Sequence, residues 1–86
     1  MNKLDKVKRI VIQKTLKLDC GKSISNFPIA YETYGRLNEN KDNAILVFHA
    51  LTGDQFASGI NPVTNKEGWW SYAVGSGKAI DTNKYF

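Results

Sequence analysis

The sequence predicts an α/β protein built on an open sheet, and three observations carry that reading. First, Ala44-Ile45-Leu46-Val47-Phe48 is an uninterrupted apolar run. Continuous apolar character marks a strand covered on both faces, as in the central parallel strand of an α/β sheet. Second, the residues ahead of it alternate apolar and polar in the manner of half-buried strands. Third, the run passes directly into His49-Ala50-Leu51-Thr52-Gly53-Asp54, a glycine turn at the carboxyl end of the strand. Open α/β sheets bind their ligands at that edge.

In chain order, the first strand is predicted from Ile10 to Leu18. Ile10, Ile12, Leu16 and Leu18 share one face, interrupted by Lys14, while Arg9, Gln13 and Lys17 share the other. Gly21-Lys22-Ser23 punctuates it. A second strand is expected through Ile29-Ala30-Tyr31-Glu32-Thr33-Tyr34, opening after Pro28 and closing at Gly35; its β-branched and aromatic content supports this. Asn38-Glu39-Asn40-Lys41-Asp42-Asn43 reads as a polar turn into the apolar run. A loop-rich stretch is expected from Gly53 to Asn65. Gly68-Trp69-Trp70 and Gly75-Ser76-Gly77 follow, and Tyr85-Phe86 reads as the start of a further strand.

Eighty-six residues fit one small domain, residues 1–86. A composition of 42% hydrophobic and 23% charged residues excludes a disordered chain. The net charge of +4 is unevenly spread: residues 1–22 carry a local net of +5 and the remainder −1. Such a basic arm can serve nucleic acid or anionic membrane. Its lysines alternate with apolar residues, however, which is the pattern of a solvated strand edge protected against pairing. Met1-Asn2-Lys3-Leu4-Asp5 has no apolar h-region, so no secretory signal is expected, and no apolar run reaches the ~20 residues of a membrane span. The single Cys20 cannot pair internally and fits a reducing compartment. A soluble cytoplasmic protein is expected, with Cys20 a small strand-end residue.

Most catalytic motifs fail on inspection. Gly77-Lys78 is followed by Ala79 and lacks the first glycine of a phosphate loop, and Gly21-Lys22-Ser23 has Leu16 where that glycine belongs. One His and one Cys cannot build a zinc site, so no metal is expected. No Ser lies in a Gly-x-Ser-x-Gly elbow. His49 would need a nucleophile and an orienting carboxylate to act as a base; Ser58 and Asp54 are available, but nothing in their spacing marks a triad. The turn after the apolar run remains. Backbone N–H groups left uncommitted there could stabilise an oxyanion, each such donor contributing about 2.7–4 kcal/mol. A plain strand-to-loop turn fits the residues equally well.

His49-Ala50-Leu51-Thr52-Gly53-Asp54, with Gly68-Trp69-Trp70 and Val74-Gly75-Ser76-Gly77-Lys78-Ala79-Ile80-Asp81-Thr82 after it, resembles the homoserine O-acetyltransferase family of the α/β-hydrolase superfamily. Leu18-Asp19-Cys20-Gly21 and Ala30-Tyr31-Glu32-Thr33-Tyr34-Gly35 resemble that family's first two strands. Ser76 departs from it, since the family usually has proline there. The resemblance implies the N-terminal part of an α/β-hydrolase fold: antiparallel first strands plus one buried central strand, in an incomplete sheet.

It also implies acyl transfer through a serine, from acetyl-CoA as co-substrate to L-homoserine, in methionine biosynthesis. The Leu51 N–H would be one oxyanion donor, Thr52 would shape the loop, and Trp69 and Trp70 would line or buttress the substrate approach. No cofactor is expected. The triad is absent, so the segment alone is expected to be inactive, and it is expected to be poorly folded because its buried strand would lack the partner that links it to the first hairpin. The superfamily places the strand beginning near Tyr85 between the second strand and residues 44–48. Small-molecule substrates are the implied partners, with a C-terminal half or a homodimer as macromolecular ones, and neither nucleic acid nor membrane. Two other readings are a half that complements a separate C-terminal chain, and a small non-enzymatic binding module using the basic N-terminal strand.

Overall fold

The computed structural model describes residues 6–86; the start tested for a signal, with Lys3 and Asp5 of the basic arm, lies outside them. Among the described residues six short strands form three two-stranded sheets: β1 (Lys8–Ile12), β2 (Leu16–Lys17), β3 (Ser23–Ile24), β4 (Phe27–Tyr31), β5 (Val74–Gly75) and β6 (Ile80–Asp81). β1 pairs antiparallel with β4, with Ile10 opposite Ile29 and Ile12 opposite Phe27. β2 and β3 form a small antiparallel hairpin, closed by Leu18 N–H on the Lys22 carbonyl at 2.8 Å. β5 and β6 pair in parallel.

Three expectations need correction. The first strand is not continuous from Ile10 to Leu18: it breaks at residues 13–15, where Lys14 interrupts the apolar face, and the two pieces take different partners. The second strand starts two residues earlier than expected and ends at Tyr31. Pro28 lies inside it, opposite Val11. β4 pairs with β1 alone, and a strand with one neighbour tolerates a residue lacking an N–H. The largest difference is at residues 44–48, which form no strand and are not buried; Leu46 and Phe48 are 79% and 81% exposed. An apolar run becomes a central strand only when strands flank it and layers cover its faces. Among the described residues neither condition is met.

The expected strand start at Tyr85-Phe86 does engage this run. Phe86 N–H donates to the Asn43 carbonyl at 3.0 Å, and Ile45 N–H donates to the Phe86 carbonyl at 2.8 Å. Two bonds from one residue to the neighbours of a facing residue are the repeat of a parallel ladder. The polar turn before it is stitched by its own side chains: Asn38 Nδ2 donates to Asp42 Oδ1, and Asn43 Nδ2 to the carbonyls of Arg36 and Lys84.

The core lies elsewhere, in Phe56, Ala57, Ala73 and Val74. Trp70 N–H donates to the Ala57 carbonyl and Ser58 Oγ to the Val74 carbonyl, both at 2.7 Å, which ties residues 56–58 to 70–74. Gly68 permits that approach, since a Cβ there would lie 2.5 Å from the backbone of Ala57 and Ser58. The stretch expected as a loop therefore contains half of the buried apolar residues. The molecule is nonetheless expanded. Its surface is 7116 Å² and its radius of gyration 15.3 Å, against about 5,100 Å² and about 12 Å for a compact chain of this size.

The loop between β5 and β6 is organised by a carboxylate. Asp81 Oδ1 accepts from Gly77 N–H and Asn83 N–H, each at 3.0 Å. These two bonds hold the Asp81 carboxyl below its ordinary range. Because the folded value is depressed, the loop's stabilisation is present above the ordinary carboxylate range and is lost as pH falls through the lowered value. The Gly77 and Asn83 amide resonances should shift together in that acid window, and Asp81→Asn should abolish the titration.

Candidate functional site

Residues 50–53 form a turn, closed by Gly53 N–H on the Ala50 carbonyl at 2.9 Å. Neither central residue, Leu51 nor Thr52, has a positive φ, which excludes type II and the mirror-image turns and leaves type I geometry. In such a turn the amides of both central residues point away from the closing bond. Among the described residues, neither the Leu51 nor the Thr52 N–H donates to another group. The Leu51 side chain is 100% exposed, so the turn stands clear of the core.

The residues after the turn are held firmly. Asp54 Oδ1 accepts from Phe56 N–H at 2.9 Å, and Asp54 Oδ2 accepts from Asn61 Nδ2 at 2.9 Å. Buried Asn61 in turn accepts from Val63 N–H at 2.8 Å and Thr64 N–H at 3.2 Å through Oδ1. Trp69 Nε1 donates to the Asp54 carbonyl at 2.8 Å, and the Trp69 ring stacks on Trp70 with centroids 5.7 Å apart. Tyr34 reaches in from beyond β4. Its hydroxyl donates to the Ser58 carbonyl at 3.0 Å and accepts from Ser58 N–H at 3.1 Å. Burial pushes the Tyr34 phenol above its ordinary value, with the bond to Ser58 opposing. Asn61→Ala would leave two amides without their acceptor, a loss of about 1–3 kcal/mol. Faster exchange of the Val63 and Thr64 amides should report it.

Leu51 and Thr52 thus share one turn, and Trp69 is bonded to the residue that follows it. His49, Asp54 and Ser58 do not converge: His49 Nδ1 lies 2.6 Å from the Ala50 carbonyl, both Asp54 oxygens are taken, and Ser58 Oγ is bonded to Val74. The Asp54–Asn61–Trp69 support was not singled out in the sequence. Gly53-Asp54 and Asn61-Pro62 are its local trace, since Asx residues beside glycine and proline cap turns with their side chains.

The chain is 79% identical over 80 residues to a homoserine O-acetyltransferase of Pelagibacter ubique, covering 93% of this chain and 22% of that protein. It is 56% identical over 80 residues to the Mesorhizobium japonicum protein of the same description, 93% of this chain and 21% of that one. It is an N-terminal segment of the homoserine O-acetyltransferase family. The crystal structure of homoserine O-acetyltransferase from Bacillus anthracis superposes with a TM-score of 0.77 at 36% identity, over 94% of this chain and 21% of that one. Esterase E22 gives 0.74 at 33% identity, over 92% and 22%. No family model matches the chain. The chain therefore spans about a fifth of the length of the homoserine O-acetyltransferases it matches. The fold is the N-terminal part of an α/β-hydrolase, with its sheet incomplete.

Proposed function

We propose that this chain supplies the oxyanion loop of a homoserine O-acetyltransferase, with the Leu51 N–H as one donor. The observation that carries the reading is the turn at residues 50–53, which leaves that N–H uncommitted at the end of the apolar run. In the reaction a serine takes acetyl from acetyl-CoA, the CoA thiol leaves, and the homoserine hydroxyl then attacks the acyl-enzyme. Each step passes through a tetrahedral oxyanion, where a preorganised N–H acts most strongly. Thr52 shapes the same turn, and Trp69 and Trp70 buttress the approach to it. Nucleophile, base and acid come from sequence that this chain does not contain, and the partner is the polypeptide that carries them.

The same reading places the protein in the cytoplasm, in keeping with its exposed free Cys20. Among the described residues no helix is long and apolar enough to cross a membrane. A nucleic-acid or membrane role for the basic strand is less favoured, because Lys8 is already paired with Glu32 at 2.8 Å. The test is a chimera in which this chain replaces the matching fifth of the Pelagibacter ubique protein. Acetylation of homoserine by the chimera is the expected result. A folded chimera with no turnover, beside an active parent, would overturn the reading.

A further inference from the structure

The Leu51 N–H belongs to the peptide unit that joins Ala50 to Leu51, and the other polar atom of that unit is the Ala50 carbonyl oxygen. This oxygen has two partners. Gly53 N–H donates to it at 2.9 Å across the turn, and His49 Nδ1 lies 2.6 Å from it. A carbonyl oxygen only accepts, so the contact assigns the imidazole proton to Nδ1.

A peptide unit is planar, and among the described residues no peptide bond is cis. The C=O and N–H of one unit therefore point in opposite directions, and whatever fixes the Ala50 carbonyl aims the Leu51 N–H. A single bond at the carbonyl leaves the plane free to swivel about that bond. A second bond from another side removes the freedom. The Leu51 side chain offers no restraint of its own, being 100% exposed. Donors on the carbonyl also draw electron density towards its oxygen, which makes the N–H of the same unit a stronger donor.

Gly53 fits this arrangement. Its φ is not positive, so its backbone conformation is open to other residues. What excludes a side chain is the histidine: a Cβ on Gly53 would lie 2.9 Å from His49 Cβ and 3.3 Å from His49 Cγ. The glycine leaves the room in which the His49 side chain lies against the turn.

We infer that His49 is a positioning residue, whose Nδ1–H, donating to the Ala50 carbonyl, aims and polarises the Leu51 N–H. The imidazole neither attacks nor moves a proton. This role rests on the oxyanion reading of the turn given under the proposed function.

The test uses the chimera with the Pelagibacter ubique protein. His49→Phe keeps a ring and loses the N–H, whereas His49→Asn carries an amide nitrogen as many bonds from the backbone as Nδ1. His49→Phe should lower kcat about tenfold, the effect of one lost hydrogen bond, with the KM for homoserine moving less than about twofold. His49→Asn should restore kcat to within about threefold of the parent. Gly53→Ala, which displaces the His49 side chain without altering it, should reproduce the loss and carries the test if His49→Phe does not fold. In a Leu51→Pro background His49→Phe should cost less than about twofold, because the N–H that it aims is gone. Carbon-13 at alanine carbonyls with nitrogen-15 at leucine amides gives the Ala50–Leu51 unit its own cross-peak, identified by its disappearance in Leu51→Pro. That cross-peak should move in His49→Phe and stay in His49→Asn.

A parent-like kcat in both His49→Phe and Gly53→Ala, an equal loss in His49→Asn, an unmoved cross-peak, or the same loss repeated on top of Leu51→Pro would each overturn the positioning role and leave the oxyanion loop standing. Full activity in Leu51→Pro would overturn the oxyanion reading itself, and the role of His49 with it.

Discussion

Heated alone, residues 1–86 should lose structure gradually and give no calorimetric peak near the roughly 60 kcal/mol of a cooperative domain this long. The physical reason is the distribution of apolar surface. Among the described residues the buried apolar ones are Phe56, Ala57, Ala73 and Val74, and none of their side chains falls below 2% exposure. Two alanines contribute little transfer free energy, since hydrophobic stabilisation scales at about 25 cal/mol per Å² buried. Meanwhile Ile10, Val11, Leu46 and Phe48 all remain more than half exposed. Each sheet has two strands, and an isolated pair is marginal in water. Protection should persist only in the network around Asp54, Asn61 and Trp69. The chain should also show no turnover of acetyl-CoA with homoserine, because no serine elbow is present. A sharp two-state transition, or measurable acetylation by the purified chain, would refute this.

In the active chimera, Leu51→Pro should lower kcat by about 10²–10³, the effect of losing one oxyanion donor. The substitution is selective for a geometric reason. Proline is favoured at the second position of a type I turn, where its fixed φ fits. The closing bond from Gly53 N–H to the Ala50 carbonyl uses no atom of residue 51, so the turn survives while its free N–H disappears. Leu51→Ala keeps the N–H and should stay within a few-fold of the parent. The KM for homoserine should move little, since the donor acts on charge that develops in the transition state. Comparable losses in the two variants would assign the effect to the leucine side chain, and full activity in Leu51→Pro would exclude the backbone donor.

Features set by local chemistry were legible in the residues. The glycine turn after the apolar run and the polar turn around Asn38 depend on neighbours a few positions apart, whereas the antiparallel pairing of the first strands, which joins residues 15–23 positions apart, was implied by the family resemblance. The break near Lys14 was visible as an interruption of the apolar face, though not as a change of partner. The Asp54–Asn61 support was harder to read. An Asx side chain announces a turn but does not say which distant residue will share its second oxygen.

The sequence by itself determined the turn at residues 50–53, which rests on residue type and short spacing, and its ordered motifs carried the resemblance to the homoserine O-acetyltransferase family. Only the tertiary structure decided where the core lies and that residues 44–48 stand uncovered. Burial is not a property of an apolar run. It belongs to the strands and layers that meet the run, and among the described residues it is Phe86 that pairs with it.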